Sequence, residues 1–228
     1  MLVTIVISTW NRKHLLPEAI DSILNQTHQD IELIIVDDNS QDKTKELILS
    51  YKDPRIKYYR NFSRKGVVYS LSKAFNRAQG KYIGVVDSDD YLELTAVEEC
   101  LNNIGDAGMI YTQARYFGFK TGKVKIGNLP YSYDNLLKQF MTFNFRLFKA
   151  ELWQQIKPLS DVNHCEDYDL SLRISEAAEI VHLPKILYNY RIHEGNKSQN
   201  RKELVCDREL CKQYAIARRS KQTAKTSK

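Results

Sequence analysis

Apolar positions in the first part of the chain alternate between short continuous runs and a helical repeat. Residues 2–8 and 31–36 form runs typical of strands buried on both faces. Between these runs, apolar residues recur at three- and four-residue spacing, which predicts a helix packed on the sheet: Leu15, Leu16, Ala19, Ile20, Ile23 and Leu24. Strands that alternate with helices predict an α/β fold with a mostly parallel central sheet flanked by helices.

The same alternation continues to about residue 112. Short strands are predicted at residues 56–59, 82–86 and 109–111. Two further helical faces lie between them: Val68, Leu71, Phe75 and Ala78, with Gly80 as the expected stop, and then Leu94, Val97, Leu101 and Ile104.

The pattern weakens over residues 113–145, which are rich in Tyr, Phe, Gly and Lys, and we interpret this segment as substrate-facing. Helical spacing returns at residues 150–156 and around Leu170 and Ile174. Residues 186–192 then alternate as a strand with one polar side, and His193 falls at its end. Because no Pro-, Gly- or Ser-rich linker divides the chain, we expect a single compact, bilobal domain, with halves at residues 1–112 and 113–217.

Composition fits a folded domain, since 43% of the 228 residues are hydrophobic and 27% are charged. The net charge of +6 is concentrated in residues 218–228, where cations stand among small polar residues. We predict that this basic tail is disordered, and a solvated end is the favoured interpretation, with peripheral contact with a membrane surface or a partner as the alternative. No nucleic-acid-binding motif accompanies the charge, so we expect no nucleic acid partner.

No apolar stretch approaches the roughly 18 to 20 residues that a membrane-spanning helix needs. The four cysteines show no CxxC pairing, which favours neither a zinc site nor a disulfide framework. We therefore expect a protein of the reducing cytoplasm, at most peripheral to the inner face of a membrane.

Polar residues follow three of the predicted strands at the point where each strand ends. Asp87-Ser88-Asp89-Asp90 has the hard oxygen ligands that suit Mg²⁺ or Mn²⁺ on a diphosphate, although an acidic loop or a helix cap is the alternative. Residues 8–11 and 37–40 end the other two strands. In a parallel sheet all three converge on one edge, where a nucleotide diphosphate needs base, ribose and metal contacts.

The order and composition of these motifs resemble glycosyltransferase family 2, the inverting enzymes with a GT-A fold. The resemblance covers roughly residues 1 to 198, and Gly66 with Ala74 and Asn76 matches between the longer motifs. Those motifs are TIVISTWNR, IELIIVDDNSQDKT, GKYIGVVDSDDYL, CEDYDLSLR and YNYRIHEGNKS.

The resemblance implies a nucleotide-sugar-binding first half and an acceptor-binding, catalytic-base second half. Ser8, Trp10 and Asp38 become contacts to the base, usually uracil, and Trp10 stands where the family more often has Tyr or Phe. The same nucleotide-sugar site is expected to include Thr9, Asn11, Gly66, Asp87 and Ser88. Trp10 is otherwise a core aromatic.

The resemblance also assigns the metal and the catalytic base. Asp89 would ligate Mn²⁺ or Mg²⁺ directly, Asp87 would contact metal or ribose, and His193 would be a third ligand, with a structural or exposed strand residue as the alternative for His193. Asp167 matches the general base, and Glu166 would orient the acceptor or the base. A first-turn acid that stabilises its helix is the alternative role for Asp167.

We therefore predict metal-assisted single displacement of a sugar from a UDP-linked donor to a saccharide or lipid-linked acceptor hydroxyl, in polysaccharide or glycoconjugate synthesis. One alternative is a nucleotidyltransferase, but that enzyme normally has a Gly-rich phosphate loop, and STWNRKHLL contains no glycine. The other alternative is a non-catalytic nucleotide-sugar-binding partner subunit.

Overall fold

The computed structural model describes residues 1–118, 124–125, 131–142, 145–162, 165–196 and 201–226. Its strands are β1 (Val3–Thr9), β2 (Ile31–Asp37), β3 (Ile56–Arg60), β4 (Tyr82–Val85), β5 (Tyr91–Leu92), β6 (Met109–Gly118), β7 (Val124–Lys125), β8 (Arg146–Lys149) and β9 (Ile180–Ile192). Its helices are α1 (Leu16–Leu24), α2 (Thr44–Ser50), α3 (Val67–Phe75), α4 (Ala96–Asn103), α5 (Tyr133–Lys138), α6 (Glu151–Ile156), α7 (Glu166–Ala177) and α8 (Arg201–Thr226).

One sheet runs through the described residues in the order β3-β2-β1-β4-β8-β6-β9-β5, with β7 paired to β6. The first four of these strands are all parallel, as the alternating pattern predicts. The direction changes at β8, which is antiparallel to both β4 and β6, whereas β6 and β9 are again parallel. The predicted α/β class is confirmed, and the parallel character is concentrated in the first half.

Helices cover both faces of this sheet. Alternate residues of β1 enter different cores: Val3, Ile5 and Ile7 pack with α1 and α4, whereas Val6 packs with α3, α6 and α7. A third apolar cluster joins α5, α7 and α8. The second half of the chain therefore forms its own small core around α7, made of helix and loop residues.

The predicted boundary at residue 112 falls inside β6, which continues from Met109 to Gly118. The two halves thus share one sheet. The helix predicted to run to Gly80 ends earlier, at Phe75. A glycine is needed at position 80 for a different reason, since a Cβ atom there would lie 2.5 Å from the backbone nitrogen of Thr4.

The basic tail was predicted to be disordered, and the structure corrects this for residues 218–226, which belong to α8. Arg218 makes two hydrogen bonds of 2.8 Å to the Glu176 carboxylate of α7, and its Nη1 lies 3.7 Å from Asp169. Cys211 and Ala215 of the same helix are fully buried. The helix is held by contacts with residues far away in sequence, which local composition does not reveal.

Among the described residues, no helix has the length and apolar character needed to cross a membrane.

We predict that Arg218→Gln lowers the free energy of unfolding by about 1 to 2 kcal/mol, because it leaves the largely buried Glu176 without its partner while the pair itself is partly exposed. Chemical denaturation measures this change. The matched control is Lys221→Gln on the exposed side of α8, which should change stability by less than about 0.5 kcal/mol. Equal stability of the two variants would mean that this end of α8 does not dock on α7.

Candidate active site

The carboxyl ends of β1, β2 and β4 open on a cavity of about 280 Å³, which also reaches the start of α7. It brings together most of the predicted site residues, and Asn11 and His193 are the predicted residues outside its lining. The predicted residues in the lining are Ser8, Thr9, Trp10, Asp38, Gly66, Asp87, Ser88, Asp89, Glu166 and Asp167. From the segment interpreted as substrate-facing, Ala114, Tyr116 and Phe140 line the same cavity.

Asp38 is a nearly buried carboxylate fixed by three donors. Its Oδ1 accepts hydrogen bonds from Asn61 Nδ2 at 2.8 Å and from the Lys65 backbone N–H at 2.7 Å. Its Oδ2 accepts from the Gly66 backbone N–H at 2.8 Å. Gly66 has φ +88° and precedes α3, so a left-handed turn delivers this donor. A carboxylate offers about four acceptor positions, which leaves capacity for a ring N–H of a base.

Trp10 is 39% exposed, and the Arg64 guanidinium lies over its ring, 3.6 Å from the ring centroid. This is a cation–π contact on a face that a nucleotide base could use for stacking. Stacking on that face therefore requires Arg64 to move aside. Next to Trp10, Thr9 is buried, and its Oγ1 has no hydrogen-bond partner within the described part of the chain.

Asn11 has a structural position between two loops. Its backbone N–H donates to Ser40 Oγ at 2.8 Å, and its Oδ1 accepts from the Gln41 backbone N–H at 2.8 Å. Its φ of +51° is one that Asn tolerates better than most residues. Asn11 therefore holds the loop after β1 against the loop after β2, outside the cavity where the sequence analysis placed it.

The acidic cluster divides into an anchor and two cavity-facing carboxylates. Asp90 is 1% exposed and accepts hydrogen bonds from Tyr188 Oη and the Arg191 backbone N–H, both at 2.8 Å. Burial raises the pKa of Asp90 well above its usual value, and the charges of Asp87 and Asp89 add to this shift. Tyr188 Oη also accepts from the Asp87 backbone N–H at 3.1 Å. The buried pair of Asp90 and Tyr188 thus fixes the turn that presents Asp87 and Asp89.

Two of the predicted metal ligands are in contact with each other. Asp89 Oδ2 lies 2.9 Å from His193 Nε2 and 3.7 Å from Arg12 Nε. His193 Nδ1 accepts a hydrogen bond of 3.1 Å from the Gly195 backbone N–H, so Nε2 carries the proton of the neutral ring and donates to Asp89. No three His, Cys, Asp or Glu side chains in the described residues are arranged around a common ion position. The donor chemistry of two carboxylates and an imidazole nevertheless fits Mn²⁺.

Asp167 lies in the first turn of α7, directly after Glu166, and its side chain is 35% exposed. Its Oδ2 is 3.4 Å from Nη1 of Arg146, whose own side chain is only 3% exposed. The same Nη1 donates to the Thr142 carbonyl oxygen at 2.8 Å. The buried Arg146 therefore lies between the Thr142 carbonyl group and Asp167, the acid predicted to be the base.

The chain matches the family model for glycosyl transferase family 2 over residues 4–164. It belongs to glycosyl transferase family 2. Two solved structures share its GT-A fold, each at 18% identity. Staphylococcus aureus TarS 1-349 in complex with UDP-GlcNAc has a TM-score of 0.77 and covers 88% of this chain and 61% of that one. The mannosyltransferase PcManGT from Pyrobaculum calidifontis, in complex with GDP-Man and Mn²⁺, has a TM-score of 0.70 and covers 88% and 60%.

Two relatives identified by sequence differ in the share of their own length that aligns with this chain. An Escherichia coli chondroitin synthase is 32% identical over 205 residues, which are 86% of this chain but 30% of that protein. The E. coli UDP-Glc:alpha-D-GlcNAc-diphosphoundecaprenol beta-1,3-glucosyltransferase WfaP is 29% identical over 222 residues, or 94% of this chain and 87% of that protein. The chain thus spans less than a third of the synthase.

The family membership and the fold are therefore confirmed, while the role of each residue in this family 2 glycosyltransferase stays a prediction. Sequence reasoning missed Arg146, Arg208 and Tyr188, which all line the cavity. The signal for Arg146 is a charged residue within the apolar run FNFRLF. Tyr188 and Arg208 carry no comparable local signal, because a Tyr in a strand and an Arg in a polar helix are both ordinary.

We predict that Tyr188→Phe lowers the free energy of unfolding of this glycosyltransferase by about 1 to 3 kcal/mol, since Asp90 and the Asp87 N–H both lose a buried partner. Denaturant titration gives the value. Tyr214→Phe, at a tyrosine that is 43% exposed, is the control and should be close to neutral. A neutral Tyr188→Phe would show that the acidic turn does not depend on this hydroxyl.

Proposed function

We propose that this family 2 glycosyltransferase moves a sugar from a UDP-linked donor to a hydroxyl of a saccharide or lipid-linked acceptor, with inversion at the anomeric carbon. The observation that carries the proposal is the single cavity that joins Trp10 and Asp38 at the strand ends with Asp167 at the start of α7. A direct displacement needs a nucleotide site and a proton acceptor on opposite sides of the transferred sugar.

The donor side is supported by chemistry and by the comparisons together. Trp10 offers an aromatic face, and Asp38 retains acceptor capacity after its three hydrogen bonds. TarS is recorded with UDP-GlcNAc, and the name of WfaP specifies UDP-Glc. The mannosyltransferase PcManGT is recorded with GDP-Man, so the base is the feature of the donor that most needs a direct test.

Asp89, with Asp87 and His193, would hold Mn²⁺ or Mg²⁺. A bound divalent cation would stabilise the negative charge that develops on the departing diphosphate. For His193 Nε2 to serve as a ligand, it must give up the proton that it donates to Asp89, because metal binding uses the neutral nitrogen lone pair. Arg12, 3.7 Å from Asp89, supplies a fixed positive charge at the same end of the cavity.

At the other end, Asp167 would take the proton of the acceptor hydroxyl as it attacks the anomeric carbon. Arg146 holds one carboxylate oxygen at 3.4 Å, and the partly exposed carboxylate remains accessible from the cavity. Glu166, the first residue of α7, would orient the acceptor or the base. The alternative function, a non-catalytic nucleotide-sugar-binding subunit, would not need a base at this position. A measurement of turnover therefore distinguishes the enzyme from such a subunit.

The acceptor belongs to polysaccharide or glycoconjugate synthesis in this proposal. The two relatives support both acceptor classes, since one name specifies a chondroitin polymer and the other a diphosphoundecaprenol-linked sugar. The cytoplasmic, membrane-peripheral location stays a prediction. Arg218, one of the cations expected to face a membrane, pairs with acids of α7 in the structure.

Calorimetric titration with UDP, with and without Mn²⁺, tests the donor site, with GDP and ADP as controls. We expect UDP to bind selectively and more tightly when Mn²⁺ is present, because the metal offsets repulsion between the diphosphate and Asp87 and Asp89. Equal binding of all three nucleotides, or no effect of the metal, would contradict the assignment.

We predict that Asp167→Asn lowers turnover by about 10²- to 10⁴-fold, because an amide cannot accept the acceptor proton. UDP affinity should stay unchanged, since Asp167 lies on α7, whereas the proposed base contacts Trp10 and Asp38 follow β1 and β2. UDP release from a UDP-sugar and acceptor mixture measures turnover. Asp161→Asn, at an exposed acid shortly before α7, is the matched control. Normal turnover by Asp167→Asn would remove this residue from the role of base.

A further inference from the structure

Arg208 of α8 lines the same cavity as Glu166 and Asp167. Its Nε is buried and has no hydrogen-bond partner in the described residues. Its guanidinium carbon lies 5.6 Å from the ring centroid of Phe140, which also lines the cavity. A cation on the last helix of the chain therefore reaches the acceptor end of the site.

The packing of α8 explains this position. Cys211, one turn after Arg208 on the same face, is fully buried, and its Sγ contacts the Cys165 carbonyl oxygen at 3.8 Å. Cys165 directly precedes Glu166 and α7. The positive charge of Arg208 opposes the rise that burial causes in the pKa of Cys165, which indicates that the guanidinium lies close to the start of α7.

Other arginines of this half are matched to carboxylates. Arg173 lies 2.8 Å from Asp169, and Arg218 lies 2.8 Å from Glu176. Arg208 makes no such ion pair in the part of the chain that the structure describes. Arg146 is 2% exposed, and its Nε is a second buried donor without a partner among the described atoms. Arg146 already pairs with Asp167 through Nη1 at 3.4 Å, but a buried guanidinium donor without a partner is costly, so the two unpartnered Nε groups favour a further anionic ligand.

We infer that Arg208 and Arg146 form an anion subsite that binds a carboxylate or phosphate group carried by the acceptor. The inference rests on the proposed function, because it places the acceptor beside Asp167. We assign the acceptor rather than the donor diphosphate as the occupant, because Arg146 contacts Asp167 at 3.4 Å, whereas Arg12 contacts Asp89 at 3.7 Å. A uronic acid and a sugar phosphate share the required chemistry, and binding measurements distinguish them.

Ligand-detected NMR titration of the full chain, with UDP and Mn²⁺ at saturation to fill the donor end, tests the subsite. The probes are two matched pairs: methyl β-glucuronide against methyl β-glucoside, and N-acetylglucosamine 1-phosphate against N-acetylglucosamine. We expect at least one anionic probe to bind about tenfold more tightly than its neutral counterpart. The preferred pair identifies the carboxylate or the phosphate as the acceptor group.

Arg208→Gln should abolish this preference, and Arg208→Lys should restore part of it because the charge returns without the planar fork. Arg219→Gln is the matched control on the same helix, since Arg219 is 55% exposed and lies outside the cavity lining. Equal binding of charged and neutral probes, or a preference that survives Arg208→Gln, would overturn the subsite. UDP affinity, measured alone on the same variants, reports separately on the proposed donor site.

Discussion

The site depends on the parallel register between β1 and its neighbours. Val6 of β1 pairs with Val85 of β4, and Thr9 pairs with Asp37 of β2. The ladder continues past the strand ends, since the Asp38 N–H donates to the Thr9 carbonyl oxygen at 2.8 Å. A slip of one residue would turn every side chain to the other face of the sheet. Backbone pairing therefore decides which polar residues meet at the carboxyl edge.

Two buried carboxylates then hold the loops at that edge of the sheet in place. Asp38 gathers the loop before α3, and Asp90 fixes the turn after β4 through Tyr188 and Arg191. Both are shielded from water, so their hydrogen bonds are stronger and their loss is more costly than at an exposed position. Asp90 thereby presents its neighbours Asp87 and Asp89 to the cavity, whereas Asp38 lines the cavity itself.

The sequence predicts this half of the site well because its determinants are local. A buried strand followed by polar residues is visible in ten to twelve residues, and the parallel pairing needs only the β–α alternation. The antiparallel β8, the docking of α8 and the placement of Arg146 depend on contacts between distant segments. Arg218 and Glu176 are 42 residues apart, and composition alone made residues 218–226 resemble a solvated tail. Asn11 is the opposite case, in which a local pattern misleads. It is a polar residue at a predicted strand end, but it holds two loops together instead of lining the cavity.

The proposed acceptor side lies beyond the residues that the family model matches. The family model ends at residue 164, before Glu166, Asp167, His193 and Arg208. In the proposed function, the parallel half carries the nucleotide-binding chemistry, and α7 and α8 line the part of the cavity where the acceptor would approach Asp167. Since α8 packs on α7 through Cys211 and Ala215, a change in that packing would move Arg208 relative to Asp167. The position of the Arg208 charge is thus set by how two helices dock, and under the proposed function substitutions in that contact would alter acceptor choice without disturbing the strand ends proposed to hold the donor.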